Sequence, residues 1–137
     1  MINLSVIIIA CNEEKMIGDC LKSVRKLAGE IVLVDSGSTD RTVQLAKRAG
    51  AKVIYVTGGK LEFARWRNLG LKAAKGKWIL YLDADERITP ELEREVKEVI
   101  RDTRYVLRFT SYVLLISFCV SPIAYCSPRG EAGVSRA

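Results

Sequence analysis

The sequence predicts an α/β protein with a doubly wound, mainly parallel sheet, and three observations carry that expectation. Short apolar runs alternate with amphipathic stretches from Leu4 to about Ile100. Most of these stretches end at a glycine or a polar turn, as repeated β-α units with right-handed crossovers require. The run Trp78-Ile79-Leu80-Tyr81-Leu82 is apolar at every position, which fits a strand covered on both faces, and it leads directly into Asp83-Ala84-Asp85-Glu86.

Ser5 to Ala10 reads as the first buried strand. Asn12 is then a helix cap, with Glu13 and Glu14 in the first turn where the helix dipole favours negative charge. The apolar stripe of that helix is Met16, Ile17, Cys20, Leu21, Val24, Leu27 and Ala28, and Gly29 stops it. A second strand spans Ile31 to Val34, and Asp35-Ser36-Gly37-Ser38-Thr39-Asp40 forms a polar turn rich in caps. The next helix turns Val43, Ala46 and Ala49 inward and ends at Gly50. Lys52 to Val56 is the third strand, and a helix from about Glu62 to Ala74 places Phe63, Trp66, Gly70 and Ala73 or Ala74 on one side. After the Trp78 strand, Thr89 caps a helix to about Arg101 with Pro90 at its first position.

From Tyr105 the pattern changes, and Phe109 to Cys126 is eighteen residues without a formal charge. This divides the chain into a core of residues 1–104 and an atypical tail of residues 105–137. Three readings of the tail stand: buried strands of the same domain, the abnormal end of a truncated or frameshifted chain, or a short membrane anchor. Strand-forming residues favour the first and loss of periodicity the second, while the length is at the lower limit for a span.

Composition narrows the chemistry. The 137 residues suffice for one hydrophobic core, and a net charge of +6 with 16 acids among 22 basic residues makes no long basic block. Small anions fit as partners, and no nucleic acid is expected. The absence of histidine excludes His-dependent nucleophile schemes and leaves Cys11, Cys20, Cys119 and Cys126 without a zinc pattern. These cysteines read as reduced, packed thiols. The first residues form a strand pattern rather than a signal peptide, so a cytoplasmic protein is expected.

Ligands of an open α/β sheet bind beyond the carboxyl ends of its strands, where the chain turns and Asp83 and Asp85 can approach one hard cation. A divalent metal carrying a diphosphate suits that place. Four segments would share the crevice: Ala10-Cys11-Asn12-Glu13-Glu14, Val34 to Asp40, Phe63 to Gly70 with its Arg65, Arg67 and Asn68, and Asp83 to Glu86.

In order and spacing these segments resemble the family 2 glycosyltransferases of the GT-A fold, with their N-E-E, V-D-x-G-S-x-D, R-N-x-G and D-x-D motifs. The D-A-D-E-R and F-A-x-x-R-N versions are similar to members that build lipopolysaccharide cores or other surface glycans. The resemblance covers residues 3 to about 92. It implies a Rossmann-like nucleotide-sugar-binding half, and transfer with inversion to a glycan or lipid-linked acceptor.

The resemblance makes Asp35 a contact to the nucleotide base, although a turn-forming role is its ordinary alternative. Asp85 becomes the ligand of Mg²⁺ or Mn²⁺, and Asp83 its partner near ribose and metal. Arg67, or Arg65 in its place, becomes a basic contact to base or phosphate. Ala10, Asn12, Glu14 and Ala84 complete the expected donor site. Asp40 reads as a helix cap, Asn68 as a backbone brace and Trp66 as core.

A general base for the acceptor hydroxyl is not found. Beyond Asp102 the only acid is Glu131. The alternative is therefore an inactive nucleotide-sugar-binding fragment without an acceptor half, and a receiver-like phosphoryl domain is the weaker third choice. A lipid-linked acceptor would bring peripheral association with the inner face of the membrane.

Overall fold

The computed structural model describes residues 3–56, 63–101 and 125–128. Its elements are β1 (Leu4–Ala10), α1 (Ile17–Val24), β2 (Glu30–Asp35), α2 (Thr42–Arg48), β3 (Lys52–Tyr55), α3 (Phe63–Ala73), β4 (Trp78–Asp83), α4 (Pro90–Arg101) and β5 (Tyr125–Pro128). The strands form one sheet in the order β3-β2-β1-β4-β5. The β1, β2, β3 and β4 pairings are parallel, and β5 runs antiparallel to β4. The expected α/β architecture is present.

Strand periodicity divides the core into two layers. Leu4, Val6, Ile8 and Ala10 of β1, with Ile31, Leu33, Trp78, Leu80 and Leu82, pack on α1, Ala46 of α2 and Val96 of α4. Ile7, Val32, Val34 and Ile79 point the other way and meet Trp66 of α3 and Ala74 just after it. A sheet buried on both faces needs apolar residues at consecutive positions, which is why the alternation of a half-exposed strand is missing. The strand sequence explains the helix placement. From β1 to β3 the chain moves outward on one side, and it then crosses back to lay β4 on the other side of β1. Right-handed crossovers put α3 on the opposite face after that reversal, leaving a switch point between β1 and β4.

Close approach of α3 depends on Gly70. A Cβ there would lie 2.5 Å from Ile7 Cγ2 and 3.2 Å from Val34 Cγ2.

Several expected boundaries differ. The first helix begins at Ile17, because Asn12 adopts φ 55 and Glu13 O accepts from the amides of Met16 and Ile17 in a preceding turn. Asn12 is therefore not its cap, and Met16 is exposed rather than part of the stripe. Ala49 lies outside the inward face of α2, while Gly50 ends the unit in the left-handed region at φ 83. Phe63 is exposed at the start of α3 but sets its ring edge against Trp66, with centroids 5.2 Å apart. Thr89 caps α4 as expected, its Oγ1 accepting from Leu92 N at 3.2 Å.

Of the tail, Tyr125–Pro128 forms a strand of the same sheet, and the rest of the expectation for residues 105–137 lies outside the described residues. No helix among the described residues is long and apolar enough to cross a membrane.

Candidate functional site

Parallel register brings three of the four segments to one edge of the sheet. Ala10 pairs with Asp35 and Ile9 with Asp83, so β1, β2 and β4 end side by side at the switch point. Ala10 is buried and its carbonyl accepts from Ser36 N at 3.1 Å, joining the ends of β1 and β2.

Asp35 is 2% exposed. Its carboxylate accepts from the amides of Gly37 and Ser38 at 3.2–3.3 Å, while Gly37 takes φ 107. The turn-forming role weighed for this residue is therefore realised. A carboxylate has about four lone-pair sites, so acceptor capacity remains beyond these amides.

The N-E-E segment is stitched to the turn after β2. Asn12 N donates to Ser38 Oγ at 2.9 Å, and Asn12 Oδ1 accepts from Thr39 N at 2.8 Å. Glu13 N donates to Thr42 Oγ1 at 2.8 Å, and Glu14 N to Asp40 Oδ2 at 3.0 Å. The Glu14 carboxylate receives both the amide and the Nε of Arg41, at 3.2 and 3.1 Å. Those two bonds, the amide's foremost, hold its pKa below the ordinary glutamate value. Asp40 accepts from Thr42 N at 2.9 Å in a turn that leads into α2, one residue before Arg41, which occupies the cap position expected of Asp40. Partial desolvation pushes the Asp40 pKa up, but the Thr42 hydroxyl and the Thr42 and Glu14 amides outweigh it and leave it lowered.

At the end of β4, Asp83 is half-buried, Ala84 buried and Asp85 exposed. Glu86 folds back so that its Oε2 accepts from Asp83 N at 3.0 Å, and its own amide donates to Asp83 O. Desolvation raises the Glu86 pKa, and despite the Asp83 amide the neighbouring Asp83 and Asp85 charges add to the rise. No hydrogen bond or ion pair from the described residues engages the carboxylates of Asp83 and Asp85. Unspent carboxylate oxygens at a turn suit a hard, oxygen-seeking cation that keeps waters and takes phosphate oxygens. The described residues contain no cluster of three or more potential ligands. Asp83 and Asp85 are oxygen donors of the kind that suit Mg²⁺ or Mn²⁺, and among the described residues they do not make a closed structural metal site.

Arg67 projects from exposed positions of α3, with its guanidinium 5.9 Å from the centre of the Tyr81 ring on β4. A cation–π attraction at that distance favours this direction for a long exposed side chain. Arg65 and Asn68 are exposed on the same helix, and Trp66 is core, as expected. Cys11 is exposed, contrary to the packed thiol expected, because it follows the last residue of β1 and leaves the sheet with the turning chain. The sequence pattern assigns no individual role to Thr42, Ser38, Tyr81 or Glu86. Their contacts join segments or fold a turn onto itself, and in the sequence only the D-x-T spacing of Asp40 and Thr42 hints at one of them.

The motifs thus lie on the elements that GT-A architecture requires. Residues 5–113 match the family model described as Glycosyl transferase family 2. The chain belongs to that family. It is 37% identical over 92 residues to the lipopolysaccharide core biosynthesis glycosyltransferase LpsC of Rhizobium meliloti, covering 65% of this chain and 34% of LpsC. It resembles the crystal structure of S. aureus TarS 1-349 in complex with UDP-GlcNAc at 32% identity and a TM-score of 0.60, over 74% of this chain and 31% of that one. It also resembles the M. tuberculosis glucosyl-3-phosphoglycerate synthase complex with Mn²⁺, UDP-glucose and glycerol 3-phosphate. There the identity is 31% and the TM-score 0.50, over 61% of this chain and 35% of that one. The chain spans about a quarter to a third of the length of the curated relatives it matches.

Proposed function

We propose that this family 2 chain binds a nucleoside diphosphate sugar with Mg²⁺ or Mn²⁺ at the switch point, as the donor half of a glycosyltransferase. The observation that supports it most is the register bringing Ala10, Asp35 and Asp83 to one strand edge. Asp35 shapes the turn with part of its acceptor capacity and offers the remainder to a base N–H. Ala10 and Asn12 border the base through backbone and loop, and Glu14 fixes the adjoining turn through Arg41. Arg67, aimed by Tyr81, meets phosphate charge. Asp83 and Asp85 hold the cation, with Ala84 packing the turn between them. A cation held there would supply positive charge to neutralise a departing nucleoside diphosphate.

The finer reading is transfer with inversion to a glycan or lipid-linked acceptor, at the cytoplasmic face of the membrane. Similarity to LpsC and to sugar-donor complexes supports that class. Inverting attack needs a carboxylate to take the acceptor proton. Glu131, the acid beyond Asp102, lies outside the described residues.

Calorimetry with UDP and with GDP, each with and without Mn²⁺, tests the donor site. Metal-dependent binding of one nucleotide is expected, and its loss in Asp85→Ala. Equal, metal-independent binding or none would overturn the reading. Turnover of radiolabelled nucleotide sugars then separates an active enzyme from a module that binds without transfer.

A further inference from the structure

The acidic turn is anchored from below by two residues of α1. Cys20 Sγ donates to Asp83 O at 3.6 Å. Ser23 Oγ accepts from Ile88 N at 3.1 Å and donates to Cys20 O at 2.7 Å. Positions 20 and 23 are three apart and so share one face of the helix. They therefore grip the two ends of the segment that carries Asp85, Asp83 on one side and Ile88 on the other.

Ser23 is a polar residue beside an apolar stripe, and its geometry explains its use there. A helical serine commonly bonds back to a carbonyl one turn earlier, here that of Cys20. That bond fixes the hydroxyl rotor and leaves its lone pairs to the Ile88 amide. Ile88 is buried, so its N–H would otherwise lose its partner away from water. Cys20 is fully buried, and its thiol reaches the Asp83 carbonyl from the helix side. The same carbonyl of Asp83 also accepts from Glu86 N, which closes the turn between the anchors.

We propose that α1, through Ser23 with Cys20 beside it, is the positioning element that presets the Asp83 and Asp85 carboxylates for the cation. This rests on the donor-site reading above. Two carboxylates on an unanchored turn would have to be ordered as the cation binds, and that ordering entropy would be lost from affinity. Asp83 is also held by its pairing in β4, and the α1 contacts at Asp83 and Ile88 add to this and lower that cost. Ser23 touches neither donor nor metal in this account and acts through the turn.

The test is calorimetric titration of UDP at a series of Mn²⁺ concentrations, run on the full chain and on Ser23→Ala, Ser23→Thr and Cys20→Ala. Ser23→Ala should raise the Mn²⁺ requirement about ten-fold, the lower end for partners that orient ligating carboxylates, and leave Mn²⁺-free UDP affinity within about two-fold. Ser23→Thr keeps the oxygen and should restore most of the difference. Cys20→Ala should shift the requirement the same way by less, and it carries the test should circular dichroism show Ser23→Ala unfolded. An unchanged Mn²⁺ requirement overturns the proposal, as does equal weakening with and without Mn²⁺. Failure of the parent to show any Mn²⁺ dependence overturns the donor-site reading first, before any variant is compared.

Discussion

Substituting alanine for Gly70 and for Gly18 should move stability in opposite directions. Both glycines lie within helices, and glycine in a helix interior costs roughly 0.8–1 kcal/mol relative to alanine, somewhat less near the first turn. At Gly18 a Cβ meets nothing within 4 Å, so Gly18→Ala should stabilise by about 0.5–1 kcal/mol. At Gly70 the same methyl lies 2.5 Å from Ile7 Cγ2 and 3.2 Å from Val34 Cγ2. Apolar carbons rest about 3.5–4 Å apart, so α3 must lift by roughly 1 Å or Ile7 must leave its rotamer. Ile7 and Val34 are both fully buried, so neither can swing out into solvent. Overpacking of this kind costs about 1–3 kcal/mol, which offsets the helix-propensity gain and leaves a net loss of up to roughly 2 kcal/mol. Urea unfolding should show the midpoint rising for Gly18→Ala and falling for Gly70→Ala with similar slopes. Ile7→Val keeps Cγ2 and should give no relief. Ile7→Ala should cost at least about 1 kcal/mol less in the Gly70→Ala background than alone, because the new methyl fills part of the cavity. A Gly70→Ala midpoint equal to or above that of Gly18→Ala would refute the close-packing account.

Asp85→Ala should abolish metal-dependent UDP binding with little change in Tm, since the side chain is exposed; calorimetry beside a thermal melt checks both. Asn12→Ala should cost about 2–3 kcal/mol in urea unfolding, combining roughly 1–2 for the left-handed backbone with about 1 for the lost Thr39 bond. Asn12→Asp keeps the acceptor and should stay much nearer the parent. For Glu30, burial works to raise the pKa, but bonds from the Ser5 hydroxyl and the Lys75 amide and the charges of Lys52 and Lys75 lower it below 4.5. A folded pKa below the unfolded one gives stability that is present above the unfolded value and lost as pH falls through the folded value. Urea midpoints followed from neutral pH down through 4.5 should therefore fall less steeply for Glu30→Gln than for the parent.

The parts of this molecule that could be read in its sequence are those whose cause is local. The Trp78 run announces a doubly covered strand because every one of its residues must be apolar, and the D-x-D follows at the strand end where the chain turns. The misread start of α1 shows where local reasoning stops. Asn12 followed by two glutamates is a good helix start on its own terms, yet an asparagine tolerates the left-handed region and can spend its oxygen on another loop. Its partners, Ser38 and Thr39, are 26 and 27 residues away, so the competing bond is invisible until the strands pair. The same holds for Cys20 and Asp83, 63 residues apart. Periodicity predicted that Cys20 is buried, but not which carbonyl its thiol meets. Gly70 shows a third case. Periodicity places it on one side of its helix with Trp66, but only the fold shows that its missing Cβ admits the approach of α3 to Ile7 and Val34. Packing at Gly70 in turn sets the height of α3 over the sheet and therefore where Arg67 stands above Tyr81. Thus one glycine without a chemical group of its own constrains where the Arg67 side chain stands, and a motif can serve geometry as strictly as chemistry.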